Sequence, residues 1–197
     1  MSALSAPSAG KPISRVDPEL KDDLVAQFYR EWEGAKMYHR IGNHLYSLGY
    51  RGAAKFFWAQ CKEEEDHANM VNMILLKVGV DLYTVQVLPQ SVEEEVRLQT
   101  AAIDTIGSNF DTVKKVVKFA LSYEQQLSSR IEALYHKASA QKNFYVSDFL
   151  KKLAQEQIEE EETFSDLVTK VERYDGSRTD MYDFDEHLGN LASQRDC

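Results

Sequence analysis

The 197-residue sequence predicts an all-α fold: a four-helix bundle with a long crossover between its second and third helices and a short fifth helix at the C-terminus. Three observations predict it. From Pro18 onward, apolar residues recur at helical spacing almost without a break. Glycine and polar punctuation falls at only a few places. Two links between periodic segments are very short, whereas one is long. At 43% hydrophobic residues the chain has enough apolar material for one sizeable core.

Residues 1–17, which open MSALSAPSAGKPISR, are rich in Ser, Ala and Pro and carry no acid before Asp17. This is the composition of a flexible N-terminal arm. It has a weak transit-peptide flavour but no apolar core for secretion. Residues 18–197 form one domain. Its first helix covers about 18–48 and its second about 51–78, joined through 49–52. A third over about 110–139 and a fourth over about 143–173 are joined through 141–143, so each pair is antiparallel. The fifth covers about 180–192. Between the second and third lie residues 80–109. A helix of about 30 residues is about 45 Å long, and roughly 13 extended residues span that length. The link therefore runs the length of the bundle and leaves helices two and three parallel. Residues remain for a short helix that starts with the capping box Ser91-x-x-Glu94. Val92, Val96 and Ala101 give this segment a narrow apolar stripe, and Glu93, Glu94, Glu95 and Arg97 are expected to face water.

The seams of the bundle carry the chemistry. Followed at alternate spacings of three and four, the first helix shows Leu24, Phe28, Glu31, Ala35, Tyr38, Gly42 and Leu45. The second shows Phe57, Gln60, Glu64, His67, Val71, Ile74 and Val78, the third Val117, Leu121, Glu124, Leu127, Ile131 and Leu134. The fourth shows Leu150, Leu153, Gln157, Glu160, Phe164, Leu167 and Val171. Each helix sends at least one carboxylate inward. An unpartnered buried carboxylate costs several kcal/mol, and no seam position is Lys or Arg. Two divalent cations would balance Glu31, Glu64, Glu124 and Glu160. Oxygen donors with one imidazole suit iron or manganese rather than a structural zinc. Glu64-x-x-His67 with glutamates on facing helices is the di-iron carboxylate arrangement of four-helix bundles. Glu31, Glu64 and His67 define a first position, and Glu64 bridges to a second held by Glu124 and Glu160 with Gln157 alongside. Gln157-x-x-Glu160 stands where a second Glu-x-x-His would be, which weakens the second position and favours iron that is oxidised and moves on.

These stretches resemble the ferritins, specifically the bacterial-type non-haem ferritins, over about residues 18–194. REWEGAKMYHRIG is similar to the family's first helix, RGAAKFFWAQCKEEEDHA to the second, SYEQQLSSRIEALYHKA to the third, FLKKLAQEQIEEEETF to the fourth and MYDFDEHLGNL to the fifth. The resemblance implies a ferritin-like fold and a hollow cage of twenty-four identical subunits. It implies uptake of Fe(II), its oxidation by dioxygen or peroxide at a dinuclear ferroxidase centre, and storage of Fe(III) mineral. Glu31, Glu64, His67, Glu124, Gln157 and Glu160 fall on the family's centre, with two irons per subunit. A third iron position is implied at Glu63, Glu156, Glu159 and Glu160; against it stands a plain solvated acidic face. Tyr38 either hydrogen-bonds a ligand, lends an electron, or is a core tyrosine. The link between helices two and three is about sixteen residues longer than the resemblance would give, an insertion expected to lie outside the cage and to leave the ligands untouched.

The remaining features mainly exclude. A net charge of −9 and a pI near 5.1 oppose nucleic acid and anionic lipid as partners, and no apolar run spans a bilayer. Cys61 and Cys197 are too few for a disulfide framework and suit a reducing, cytoplasmic setting. His39, His44, His136 and His187 gather no ligand set. A rubrerythrin-like peroxide reductase would want a second Glu-x-x-His and rubredoxin-like cysteine pairs, a DNA-coating mini-ferritin would place its ligands between subunits, and a soluble ferroxidase without storage would lack the cage.

Overall fold

The computed structural model describes residues 15–82, 89–108, 112–174 and 178–195. These form α1 (Pro18–Ser47), α2 (Arg51–Lys77), α3 (Gln90–Asp104), α4 (Thr112–Ala140), α5 (Phe144–Glu172) and α6 (Arg178–Arg195), with no strand among the described residues. Helices α1, α2, α4 and α5 are the predicted bundle, and α6 is the predicted fifth helix. No helix among the described residues is long and apolar enough to cross a membrane.

Local chemistry sets the helix starts. Asp17 accepts a hydrogen bond from the Glu19 N–H at 2.9 Å, and Pro18 takes the first turn, where a missing N–H is harmless. Asn143 caps α5 by accepting from the Val146 N–H at 3.2 Å. The N-cap of α2, Tyr50, makes no side-chain capping bond. Its cap comes from α6: the Asp185 carboxylate accepts from the Gly52 N–H at 3.1 Å and the Ala53 N–H at 2.8 Å. Within the segment assigned to the N-terminal arm, residues 1–14 lie outside the described residues. Arg15 N–H donates to the Val78 carbonyl at 2.8 Å and Val16 is buried, so the chain is already seated on the bundle there.

Contacts fix the directions. Tyr38 packs on Phe57, whereas Gly42, one turn later on α1, faces the carbonyl of Ala54, one turn earlier on α2, so α1 and α2 are antiparallel. Asp23 pairs with Lys137 whereas Tyr38 bonds Glu124, so α1 and α4 are antiparallel too. Helices α2 and α4 are therefore parallel, as the long crossover requires. Tyr38, Phe56, Phe57 and Phe164 are fully buried at the centre of the core, with Phe57 and Phe164 in ring contact with each other and each with both Tyr38 and Phe56. Of the seam positions, Phe28, Leu121 and Glu160 are half-buried and the others buried.

The crossover departs from expectation in three respects. Pro89, with φ fixed near its ring value, starts α3 at Gln90, so Ser91 lies within the helix and the capping box does not form; Glu94 pairs with Arg97 instead. Val92 is buried and Val96 half-buried, but Ala101 is exposed, and Ile103 and Ile106 complete the apolar contact. Glu95 turns inward rather than to water, with its carboxylate on Arg30 of α1 and Arg130 of α4. Opposite guanidinium groups from two helices outweigh the solvation that a charge run normally keeps.

Helix α6 closes one end by burying Met181, Phe184, Leu188 and Ala192. It approaches α2 so closely that a Cβ at Gly52 would lie 1.8 Å from the Asp185 carbonyl oxygen and 3.0 Å from the Gly189 nitrogen. We predict that Gly52→Ala destabilises the fold by about 1–3 kcal/mol and speeds hydrogen exchange across α6. Wild-type exchange in that variant would show that the helices do not need this close approach.

Candidate metal centre

Glu31, Glu64 and His67 each place a ligand-type atom within 4.8 Å of the others. Helix geometry makes this possible: Glu64 and His67 are three residues apart on one face of α2, and α1 crosses at Glu31. His67 Nδ1 stands 4.0 Å from Glu31 Oε2. Glu31 is 0% exposed, Glu64 3% and His67 8%. Glu31 Oε2, Glu64 Oε2, His67 Nδ1 and, nearby, Gln157 Oε1 are buried atoms that meet no protein hydrogen-bond partner. One such atom costs about 1–3 kcal/mol, and a cluster of them with oxygen and imidazole donors fits a cation such as iron or manganese.

The second group is built differently. The Glu124 carboxylate accepts from the Tyr38 hydroxyl on one oxygen and from Gln157 Nε2 at 2.6 Å on the other. Glu124 and Gln157 are buried and Glu160 half-buried, but none of them joins the tight three-residue group. Of the three glutamates expected beside the pair, Glu156 is drawn toward the centre, its Oε2 3.7 Å from His67 Nε2 although the side chain is 47% exposed. Glu63 accepts a hydrogen bond from Gln60, and Glu159 is exposed.

Burial pushes the Glu64 carboxyl far above the usual carboxylate range, and Glu124, Glu31 and Glu160 push it the same way. Glu124 is raised to about 8, with burial the largest cause and the Tyr38 and Gln157 hydrogen bonds pulling against it. The Tyr38 and Tyr123 phenols are raised well above 10, by burial first and then by these carboxylates, so both stay protonated donors. In the metal-free state the centre therefore retains protons that an arriving cation displaces.

Two residues at the centre escaped the seam analysis. Gln27, fully buried one turn before Glu31, donates from Nε2 to Glu31 Oε1 at 2.7 Å. Its signal was an amide at i−4 from a ligand on the same face. Tyr123, next to Glu124, is buried edge-on to Tyr38 with ring centroids 5.7 Å apart, and its hydroxyl donates to the Arg30 carbonyl at 3.3 Å. A one-residue-per-turn stripe selected Leu121 and passed over it. Gly34 makes room for it, since a Cβ there would sit 2.3 Å from the Tyr123 hydroxyl oxygen and 3.2 Å from Glu64 Oε2. Elsewhere, Cys61 is half-buried, and burial ahead of the Glu65 charge raises its thiol, so it stays protonated; Cys197 lies outside the described residues.

Comparison with known proteins bears on this geometry. The profile described as Ferritin-like domain matches residues 21–174. The chain is 23% identical to a probable bacterial non-heme ferritin-like protein of Haemophilus influenzae over 175 residues, covering 89% of this chain and 94% of that one. It is 24% identical to a bacterial non-heme ferritin of Campylobacter jejuni over 172 residues, covering 87% and 93%. The fold superposes on an open pore ferritin of the hyperthermophilic archaeon Archaeoglobus fulgidus with a TM-score of 0.72 at 23% identity, covering 88% of this chain and 98% of that one.

The electrostatics generate a prediction. A carboxyl whose pKa is higher folded than unfolded binds more protons in the native state, so stability falls as pH rises between the two values. For Glu124 that window runs from 4.5 to about 8. Calorimetry on chelator-treated protein should show the melting temperature falling across this window, with a shallower fall in Glu124→Gln. Equal slopes in the two proteins would contradict a buried, protonated Glu124.

Proposed function

We propose, from the premise that this chain belongs to the ferritin-like domain family, that it is an iron-storage protein which oxidises Fe(II) at an intra-subunit dinuclear centre and keeps the Fe(III) product inside an oligomeric cage. The observation that carries the reading is the buried group Glu31, Glu64 and His67, in which Glu31 Oε2, Glu64 Oε2 and His67 Nδ1 have no protein hydrogen-bond partner. The ferritins among the similar chains supply the storage half of the reading.

In this mechanism iron is the substrate. Glu31, Glu64 and His67 bind the first Fe(II), with Gln27 fixing one oxygen of Glu31 and leaving the other for the ion. Glu64, influenced most among the acids by Glu124 and then Glu31, bridges to a second Fe(II) held by Glu124 and Glu160. Binding releases the protons that burial had kept on Glu64 and Glu124. Tyr38 and Gln157 hold the Glu124 carboxylate in one orientation through its two oxygens, and the Gln157 amide, weaker than a histidine, lets the second ion leave. Two Fe(II) give up one electron each. One dioxygen takes both, with two protons, to become hydrogen peroxide, or one peroxide takes both, with two protons, to become two waters. Glu63, Glu156 and Glu159, with Glu160, form a third position on the way out, Glu156 lying 3.7 Å from His67 Nε2. Twenty-four copies enclose the mineral, in the cytoplasmic setting expected from the sequence.

Rapid mixing of the metal-free protein with Fe(II) in air tests the chemistry. Glu64→Ala should abolish the fast absorbance rise, a loss of at least about 100-fold if both ions depend on it, whereas Glu65→Ala, at an exposed position off the seam, should behave as wild type. Equal rates for wild type and Glu64→Ala would sink the centre. Electron microscopy tests the storage half: hollow particles are expected, and discrete dimers without them would leave a ferroxidase that does not store.

A further inference from the structure

The crossover helix α3 was expected to be ornamental to the chemistry, and the structure gives it a purchase on both walls of the centre. Glu95 accepts from Arg30 through both oxygens, Nε to Oε2 at 2.9 Å and Nη2 to Oε1 at 3.1 Å. Oε2 also lies 3.3 Å from Arg130 Nη2. The three side chains are only 15%, 21% and 25% exposed for Arg30, Glu95 and Arg130. An exposed ion pair is worth little, but a forked Arg–carboxylate pair shared with a second guanidinium and shielded from solvent has directional strength. Val92, one turn earlier on α3, is buried in the same seam, and the space left among Arg30, Val92, Glu95, Tyr123 and Arg130 amounts to 10 Å³. That is about one water at most, so the joint is close-packed.

Its position matters more than its strength. Arg30 immediately precedes Glu31 on α1, and Tyr123, which immediately precedes Glu124 on α4, donates to the Arg30 carbonyl. We propose that Glu95 is a positioning residue for the metal centre, tying Arg30 of α1 to Arg130 of α4 and so fixing the separation of the walls that carry Glu31 and Glu124. The first ion depends on α1 and α2 alone, whose hairpin is short. The second ion needs α4 at the right distance, and Glu95 sets that distance. The inference rests on the two-ion centre proposed above.

Co(II), whose visible spectrum and magnetism report ligand number and pairing, is the probe. Wild type should bind two Co(II) per chain with magnetic coupling between them. Glu95→Ala should bind the first with an unchanged spectrum, bind the second roughly 10–100-fold more weakly, as for other residues that orient metal ligands, and lose the coupling. Glu95→Gln, which retains an acceptor for Arg30 but not the charge, should fall between, and Glu94→Ala, whose exposed carboxylate pairs along α3 with Arg97, should match wild type. If wild type binds no pair, the centre itself fails. If wild type binds the pair and Glu95→Ala binds it identically, the brace is refuted while the centre stands. Equal weakening of both ions with loss of helicity would make Glu95 a stability residue and overturn the positioning role; should Glu95→Ala not fold, wild-type pairing in Glu95→Gln would refute it.

Discussion

The rest of the structure is arranged around mutual repulsion and desolvation among carboxylates inside a closed core. Glu31, Glu64 and Glu124 are buried and Glu160 half-buried at the level where four helices meet, and among the described residues no lysine or arginine is buried with them. An apolar core would be more stable than this one without a cation. The surrounding choices limit the damage without cancelling the charge. Gln27, Tyr38 and Gln157 each donate to a carboxylate oxygen while carrying no charge themselves. The guanidinium groups of Arg30, next to Glu31 in the chain, and of Arg130 are engaged by Glu95 on the α3 side. Protonation of Glu64 and Glu124 relieves what remains. A protein that neutralised its acids internally would fold better and bind nothing.

The centre is also sided. On the α1/α4 face, α3 packs down with Val92 buried and Glu95 neutralised. On the α2/α5 face, Glu156 reaches His67 from a half-exposed position, with Glu159 and Asp66 exposed on the same two helices. The acidic side chains nearest the centre are thus open to solvent on one side and paired with guanidinium groups on the other.

Sequence periodicity went far with this chain because bundle helices repeat their inward positions so regularly that a polar residue on a seam stands out. Glu31, Glu64, His67, Glu124 and Gln157 were legible for that reason, and all are buried as the seams required. Helix directions were legible because two links are too short to do anything but turn back and one is long enough to traverse. What periodicity cannot show is contact between segments whose pairing depends on a third. Glu95 lies in a run of three acids that reads as solvated, and its partners Arg30 and Arg130 are distant in sequence and off the seams. Tyr123 was hidden by the width of the buried face, which takes in more than one residue per turn. The capping box failed on Pro89, whose fixed φ started α3 one residue before the serine that was to cap it.

The bond from Asp185 to the start of α2 has a temporal consequence. A ribosome releases this chain from the N-terminus, so Gly52 and Ala53 emerge long before the carboxylate that accepts from them. Until α6 arrives, those two N–H groups can be satisfied only by water and the first turn of α2 frays. Helix α2 carries Glu64 and His67, so the firmness of the centre waits on the arrival of α6, and a nascent chain offers a cation a poorer home than one with α6 in place.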